Sequence, residues 1–311
     1  MSHDLLRALA IFAAGLAAGT INTVVGSGTL ITFPTLLAFG YPPVLANVSN
    51  NVGLVPGVAS GVHGYRAELT GQRRRIIRLG SASLCGGLVG AILLLVLPQE
   101  AFKAIVPVLI GIALVMVVFQ PWLAKWVAAR QRRRAADPGA EPGKAGGDPV
   151  PGGAGQAPGP GNPGTASDLG AASDPGGAVS VAGAVRTVSP ENPLQLGGPV
   201  LWVLVFLTGI YGGYFGAAQG VLLIGLMGVA FTDTMQRINA VKNCLAGLVN
   251  GIAAVVFILA THIDWGAAGL IAAGSVIGGQ VGARIGRKLP PWGLRVLIVC
   301  VGIAALVKLL A

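Results

Sequence analysis

Asparagine residues recur at one spacing within two apolar stretches of the sequence. Asn47 and Asn51 lie four residues apart, as do Asn239 and Asn243, and Lys242 adjoins the second pair. Side chains four residues apart share one helix face, and polar groups in an apolar helix are unfavourable unless they meet a cavity or a partner. We expect these residues to line a substrate pathway. The alternatives are hydrogen bonding between helices and, for Lys242, a position at the membrane edge with its ammonium in water.

Two glycine-rich segments could bind an anion. They interrupt the apolar stretches 5–40 and 200–231, each too long for one membrane helix, so we expect two short helices joined by a break. An unwound backbone in a membrane must line a cavity or be buried in protein, and the helix N-terminus after it favours an anion. Close packing of small residues is the alternative. The candidate substrate-binding residues at the breaks are Asn22, Gly26, Ser27, Gly28, Thr29, Gln219 and Gly220.

The surrounding composition is typical of a membrane protein. Of 311 residues, 53% are hydrophobic and 10% charged, with a mean hydropathy of +0.75, whereas soluble domains are about 25% charged. The net charge of +10 comes from short basic clusters between apolar runs, which fits the positive-inside rule better than nucleic-acid binding. Long candidate spans are 44–63, 79–97, 102–122, 200–215, 239–261, 266–285 and 293–310. We therefore expect an all-α polytopic membrane protein with about eight spans.

The two halves match at an offset of 192 residues. Gly28 pairs with Gly220, both asparagine pairs coincide, and a GGxxGA segment recurs at 86–91 and 278–283. We expect that segment to serve close helix packing. It is preceded by basic residues in the first half and followed by them in the second, which predicts an inverted repeat with both termini outside. Four plain spans per half, in parallel orientation, are the alternative.

Residues 135–199 contain 16 Gly and 11 Pro, a composition that indicates disorder. The predicted organisation is a first membrane repeat at 1–124, a disordered cytoplasmic linker at 125–198 and a second membrane repeat at 199–311.

Enzyme chemistry has little support in the sequence. We find no intramembrane Asp pair, Walker motif or Cys/His ligand set, so no metal or cofactor is expected. Ser27 with His63 or His262 as base lacks a third orienting group. Cys85, Cys244 and Cys300 lie in apolar runs, where we expect buried small side chains. The protein is expected not to be an enzyme.

Several motifs resemble the TauE/SafE family, the sulfite-exporter or TSUP permeases. They are VVGSGTLITFP (24–34), FGYPPVLANVSNNVG (39–53), GGYFGAAQG (212–220) and INAVKN (238–243). The resemblance covers 1–124 and 199–311 and implies a secondary carrier of sulfite, sulfonates or related anions in the bacterial cytoplasmic membrane. The chain departs from the family in its long linker and in Ser27, Thr29 and 217–219, where consecutive glycines are usual.

The predicted function is export of a small anion by alternating access at the interface of the halves. Its partners would be the anionic substrate and the lipid bilayer, not nucleic acid. Coupling to protons or to membrane potential stays open, as does the oligomeric state. The alternatives are a membrane assembly or signalling subunit whose linker recruits a partner, and a passive anion channel.

Overall fold

The computed structural model describes residues 2–136, 198–231, 233–285 and 291–310. These residues form helices with no strand among them, which confirms the all-α prediction. Most of the predicted linker lies outside the described residues. The helices are α1 Ser2–Val24, α2 Thr29–Ala38, α3 Pro43–Gly64, α4 Arg73–Val96, α5 Gln99–Ala136, α6 Pro199–Tyr214, α7 Gln219–Ala230, α8 Met235–Ala260, α9 Trp265–Ile285 and α10 Pro291–Leu310, with a 3₁₀ turn at Arg66–Leu69 between α3 and α4.

Five helices within the described residues are long and apolar enough to cross a membrane: His3–Val24, Arg73–Val96, Gln99–Trp122, Met235–Ala260 and Trp265–Arg284. Helices α2, α6 and α7 are apolar but shorter. Helix α3 has 22 residues but carries several polar side chains along its length. The chain is therefore a polytopic α-helical membrane protein, and the count of eight spans stays a prediction.

Both predicted helix breaks are present, and they use the same backbone conformation. Gly26 follows α1 with φ 88°, and Ala218, at the corresponding position of the second half, precedes α7 with φ 62°. Left-handed conformations stop a helix, and alanine adopts them only with strain of about 1–2 kcal/mol. The second break thus has a left-handed residue at the same position as the first, although that residue is alanine and not glycine.

Each broken pair returns the chain to the end of the bundle from which it came. The Arg7 guanidinium carbon of α1 lies 4.8 Å from the ring centre of Tyr41, just after α2. In the second half, Trp202 of α6 donates a hydrogen bond to Ser81 at 3.2 Å, and the ring of Phe231, after α7, lies 3.9 Å from the Arg75 guanidinium carbon. We name these two regions the Tyr41 end and the Arg75 end.

The two ends lie on opposite sides of the bundle. Helix α3 starts beside Tyr41 and, at 1.5 Å per residue, runs for about 33 Å. Beyond it, Gln72 donates a hydrogen bond to the carbonyl of Arg237 at 3.3 Å, close to Arg75. The two hairpins thus open toward opposite ends, as the inverted interpretation requires. The duplication itself stays a prediction.

The helices of each half pack against helices of the other half in an equivalent way. Helix α1 packs on α9 as α6 packs on α4, and α3 contacts α9 as α8 contacts α4. The first and last glycines of each GGxxGA segment face the backbone of α6 or α1, and the second glycine faces α8 or α3. A side chain there would overlap a neighbouring helix, which supports the expected packing role. The glycines are Gly86, Gly87, Gly90, Gly278, Gly279 and Gly282.

Two expectations differ from the structure. Cys85 and Cys300 are exposed and Cys244 is half-buried, so the prediction of three buried thiols is wrong. An apolar run does not distinguish core-facing from lipid-facing positions, because both are apolar in a membrane helix. In addition, α5 continues to Ala136, so the first residues assigned to the linker are helical.

Candidate functional site

The two helix breaks meet in the interior of the bundle. The backbone N–H of Gly220 donates a hydrogen bond to the carbonyl of Gly26 at 3.2 Å. A Cβ on either glycine would overlap the Cα of the other. Glycine is therefore required at both positions, because the two unwound segments approach each other backbone to backbone.

The C-terminal end of α1 is bound by side chains of α8. Lys242 Nζ donates to the carbonyl oxygens of Asn22 at 2.9 Å and Thr23 at 3.2 Å. The side-chain amides of Asn239 and Asn243 donate to the Thr23 carbonyl at 3.1 and 3.3 Å. The last carbonyls of a helix lack partners within it and carry its negative dipole end. Helix α8 satisfies both needs with two amides and a cation.

The first asparagine of the other pair has the same role. Asn47 Nδ2 donates to the carbonyl of Tyr214, the last residue of α6, at 3.0 Å. Asn47 and Asn239 thus each cap the broken helix of the opposite half. Both lie beside the breaks and use an amide N–H for bonding between helices, as the alternative interpretation expected, and their role in binding substrate stays a prediction.

Asn50 was absent from the predicted site. It stands at the position of Lys242 in the 192-residue register. Its Nδ2 donates to Thr29 Oγ1 at 3.4 Å, and its Oδ1 accepts from Thr32. Comparing the halves position by position would have found it, because Lys242 was already a candidate. The two halves therefore differ at the centre by one charge.

Lys242 is completely buried, so its predicted alternative position at the membrane edge is wrong. Within the described residues, the ion pairs join Asp233 to Arg75 and to Arg237, and no acidic side chain pairs with Lys242. An ammonium has three N–H donors, and the two carbonyls use two of them. A buried charge of this kind needs a compensating partner.

Several buried polar atoms around the breaks have no hydrogen-bond partner among the described residues. Unsatisfied buried groups are uncommon in proteins, and each calls for an explanation such as a bound water or ion or a functional role. They are Ser27 Oγ, Asn51 Oδ1, Gln219 Nε2, Asn239 Oδ1 and Tyr214 Oη. Four of them belong to residues singled out from sequence.

The remaining predicted residues lie at the same breaks. Asn22 is half-buried and contributes its backbone carbonyl to Lys242. Gly28 packs against Ala18 and Asn22 of α1. A Cβ on Gly216 would lie 3.9 Å from Thr29 Oγ1, which places Thr29 beside the second break. The side chain of Gln219 packs on Gly212.

The N-cap of α8 is Thr234, whereas the neighbouring Asp233 has other partners. Thr234 is the N-cap, and its side chain accepts from the Arg237 N–H at 3.4 Å. Asp233 instead pairs with Arg75 and, at 3.2 Å, with Arg237. A carboxylate between two guanidinium groups gains more from those charges than from one backbone N–H.

Tyr41, at the opposite end of the bundle, is the residue that corresponds to Asp233 in the 192-residue register. Burial, followed by the charge of the Asp264 carboxylate and a hydrogen bond to it, raises the pKa of Tyr41, while Arg7 opposes the shift. Asp264 also caps α9 by accepting from the Ala267 N–H at 2.8 Å. Each end of the bundle thus has an arginine holding the chain where a short helix ends.

The geometry defines a class of protein: a polytopic helical membrane protein whose two broken hairpins meet at a buried polar centre. The family described as "Sulfite exporter TauE/SafE" matches residues 11–309. The chain therefore belongs to the TauE/SafE family of membrane transporters, which confirms the resemblance found in the sequence.

One relative is the "Probable membrane transporter protein ORF9" of Sinorhizobium sp., 31% identical over 105 residues. The match covers 33% of this chain and 40% of that protein's length. No solved structure matches the chain. Family and relative both indicate a multi-pass membrane transporter, a class that is in general not enzymatic. No group of three His, Cys, Asp or Glu residues that could hold a metal lies within the described residues.

Proposed function

We propose that this protein is a secondary transporter that exports a small anion: sulfite, a sulfonate or a related sulfur-containing anion. One observation carries the proposal. Lys242 is buried beside the meeting point of two broken hairpins and has no acidic partner in the described part of the chain. Lys242 also lies close to Gly220, since a Cβ added to that glycine would be 2.9 Å from Lys242 Cδ.

An anion fits this centre better than a cation or a neutral solute. Lys242 supplies a positive charge and a third N–H donor. Ser27 and Gln219 add a hydroxyl and an amide whose buried polar atoms lack partners in the described part of the chain. Helices α2 and α7 both begin at the breaks, and their first N–H groups favour negative charge. An oxyanion can accept from all of these donors together.

Alternating access follows from the opposite directions of the hairpins. Movement of one half against the other would open the same centre first toward the Arg75 end and then toward the Tyr41 end. The contact between Gly26 and Gly220 joins the two halves at that centre. It therefore lies where such a movement has to occur.

The basic residues orient the protein in the bacterial cytoplasmic membrane. Arg73, Arg74, Arg75 and Arg78 begin α4 at the Arg75 end. By the positive-inside rule this end and the linker are cytoplasmic. Both termini are then outside, and the substrate-binding centre lies between.

The test is uptake and efflux of radiolabelled sulfite, thiosulfate, sulfoacetate and taurine in proteoliposomes. Each is measured with and without an imposed pH gradient or membrane potential. Saturable movement of one anion supports the carrier and names its coupling. Flux that rises linearly with concentration indicates a channel. No movement of any anion, from protein shown to be folded, rejects the sulfur-anion assignment.

A further inference from the structure

A cavity of about 500 Å³ lies between α3 and α9 at the Arg75 end. The described residues that line it are basic, neutral polar or small, and none is a carboxylate: His63, Gly64, Arg66, Ala67, Gln280 and Arg284. None of these residues was a predicted substrate-binding residue. The cavity is separate from the buried centre around Lys242 and opens to the surface, where His63, Arg66 and Arg284 are exposed.

Arg66 is held in place by the histidine beside it. Arg66 Nη1 lies 2.7 Å from His63 Nε2. A guanidinium group only donates hydrogen bonds, so His63 Nε2 is the acceptor in this contact. This contact uses one N–H of Arg66 and leaves its planar fork with further donors for a ligand.

Arg284 and Gln280 line the α9 side of the same cavity. Gln280 Nε2 donates to the carbonyl and the hydroxyl of Ser60, both at 3.0 Å, which fixes its amide. Among the described residues, neither Arg66 nor Arg284 forms an ion pair with a carboxylate. Two guanidinium groups that share a cavity without a counter-charge suit an oxyanion, which accepts hydrogen bonds from both.

The cavity lies about one helical turn beyond the end of α1. A Cβ on Gly61 would come within 2.7 Å of Thr23 Oγ1, and one on Gly282 within 3.0 Å of Thr23 Cβ. In the sequence, the cavity residue Gly64 follows Gly61 by three residues, and the cavity residue Arg284 follows Gly282 by two. The carbonyl of Thr23 is the one that Lys242 binds. Thr23 at the end of α1 therefore lies beside Lys242 and also beside α3 and α9, the helices that carry residues of the cavity.

We propose that this cavity is an oxyanion-binding site, formed by Arg66 and Arg284, from which a substrate anion passes along the end of α1 to Lys242. The passage to Lys242 rests on the proposed transport function, whereas the binding does not. The same chemistry can come from a free anion or from the phosphate of an anionic lipid. The test separates these two sources.

The first arm measures binding of sodium sulfate to the full-length protein in a neutral detergent by isothermal titration calorimetry. The double variant Arg66→Gln, Arg284→Gln is compared with Arg73→Gln, Arg74→Gln, which removes the same charge from exposed residues of the same end outside the cavity. We expect sulfate binding to weaken about tenfold or more in the cavity variant, since charge-assisted hydrogen bonds are lost. The control variant retains the affinity of the wild type.

The second arm measures thermal unfolding in nanodiscs of phosphatidylcholine alone or with phosphatidylglycerol. Loss of the phosphatidylglycerol-dependent rise in Tm in the cavity variant alone, with sulfate binding unchanged, supports the site and identifies lipid phosphate as its ligand. If the cavity variant and the control behave alike in both arms, the proposal is overturned. Because both readouts are independent of flux, a protein that transports no anion can still confirm or reject the site.

Discussion

The Lys242 ammonium lies 2.9 Å from the carbonyl oxygen of Asn22, at the end of a helix contributed by the other half of the chain. This bond joins the two halves across their interface, at the point where α1 unwinds. It places a fully buried cation against the negative end of a helix dipole. The same group thus stabilises the break and offers a remaining donor to an anion.

Replacing Lys242 with methionine is expected to abolish anion flux while the protein stays folded. Methionine keeps an unbranched side chain but cannot donate to the two carbonyls at the end of α1, so the Tm should fall. The amides of Asn239 and Asn243 still bind one of those carbonyls and keep α8 joined to α1. Flux in proteoliposomes and the Tm of the purified variant are the two measurements. Lys103→Met is the matched control, because Lys103 is exposed on α5. Wild-type flux in Lys242→Met would remove Lys242 from the substrate site.

Alanine substitutions of Asn47 and Asn51 are expected to differ in effect, the first acting mainly on stability and the second mainly on transport. Asn47→Ala removes the cap on Tyr214 and should lower the free energy of unfolding by about 1–3 kcal/mol. Asn51 Oδ1 has no partner within the described residues, so Asn51→Ala should change stability little while reducing flux. Denaturation and proteoliposome flux are compared for both variants. Equal losses of stability would place Asn51 among the structural residues instead.

Gly220→Ala is expected to prevent the two breaks from meeting. A methyl group there would overlap Gly26, so the variant should unfold at a lower temperature and lose flux. Gly26→Ala adds the strain of φ 88° to the same overlap. Gly40→Ala isolates that strain, about 1–2 kcal/mol, because Gly40 has φ 82° and no described residue comes within 4 Å of an added Cβ. A loss at Gly40 as large as that at Gly26 would mean that backbone strain, rather than the contact, explains the effect.

Deletion of residues 140–190 is expected to leave flux largely intact if the protein is a carrier. The segment is rich in Gly and Pro, and the residues that form the buried centre all lie outside it. The shortened protein is assayed in proteoliposomes beside the full chain at equal reconstitution. Loss of function in cells with normal flux in liposomes would instead favour a linker that recruits a partner.

Much of the architecture was predictable because membrane helices carry a strong sequence signal. The length of apolar runs located the helices, and glycine clusters located both breaks. The equal spacing of Asn47 and Asn51 with Asn239 and Asn243 identified the two helices that meet at the centre. Opposite charge bias in corresponding loops predicted hairpins that open toward opposite ends.

Other features depended on contacts between residues far apart in the chain. Asp233 pairs with Arg75, which lies 158 residues away, so no local pattern could indicate the pair. The basic cavity has the same origin, since Arg66 and Arg284 come from segments far apart in the sequence.

The sequence by itself determined where the chain is helical, where it breaks and which polar residues interrupt its apolar stretches, since these follow from local hydropathy and backbone preference. Only the tertiary structure decided what those residues bind. Hydrogen bonds have a short range and a required direction, so whether Lys242 reaches water, a carboxylate or the Asn22 carbonyl depends on how α8 packs against α1. The packing of the helices likewise makes Asn47 and Asn239 the caps of the two broken helices, and it leaves Asn51 Oδ1 unbonded among the described residues.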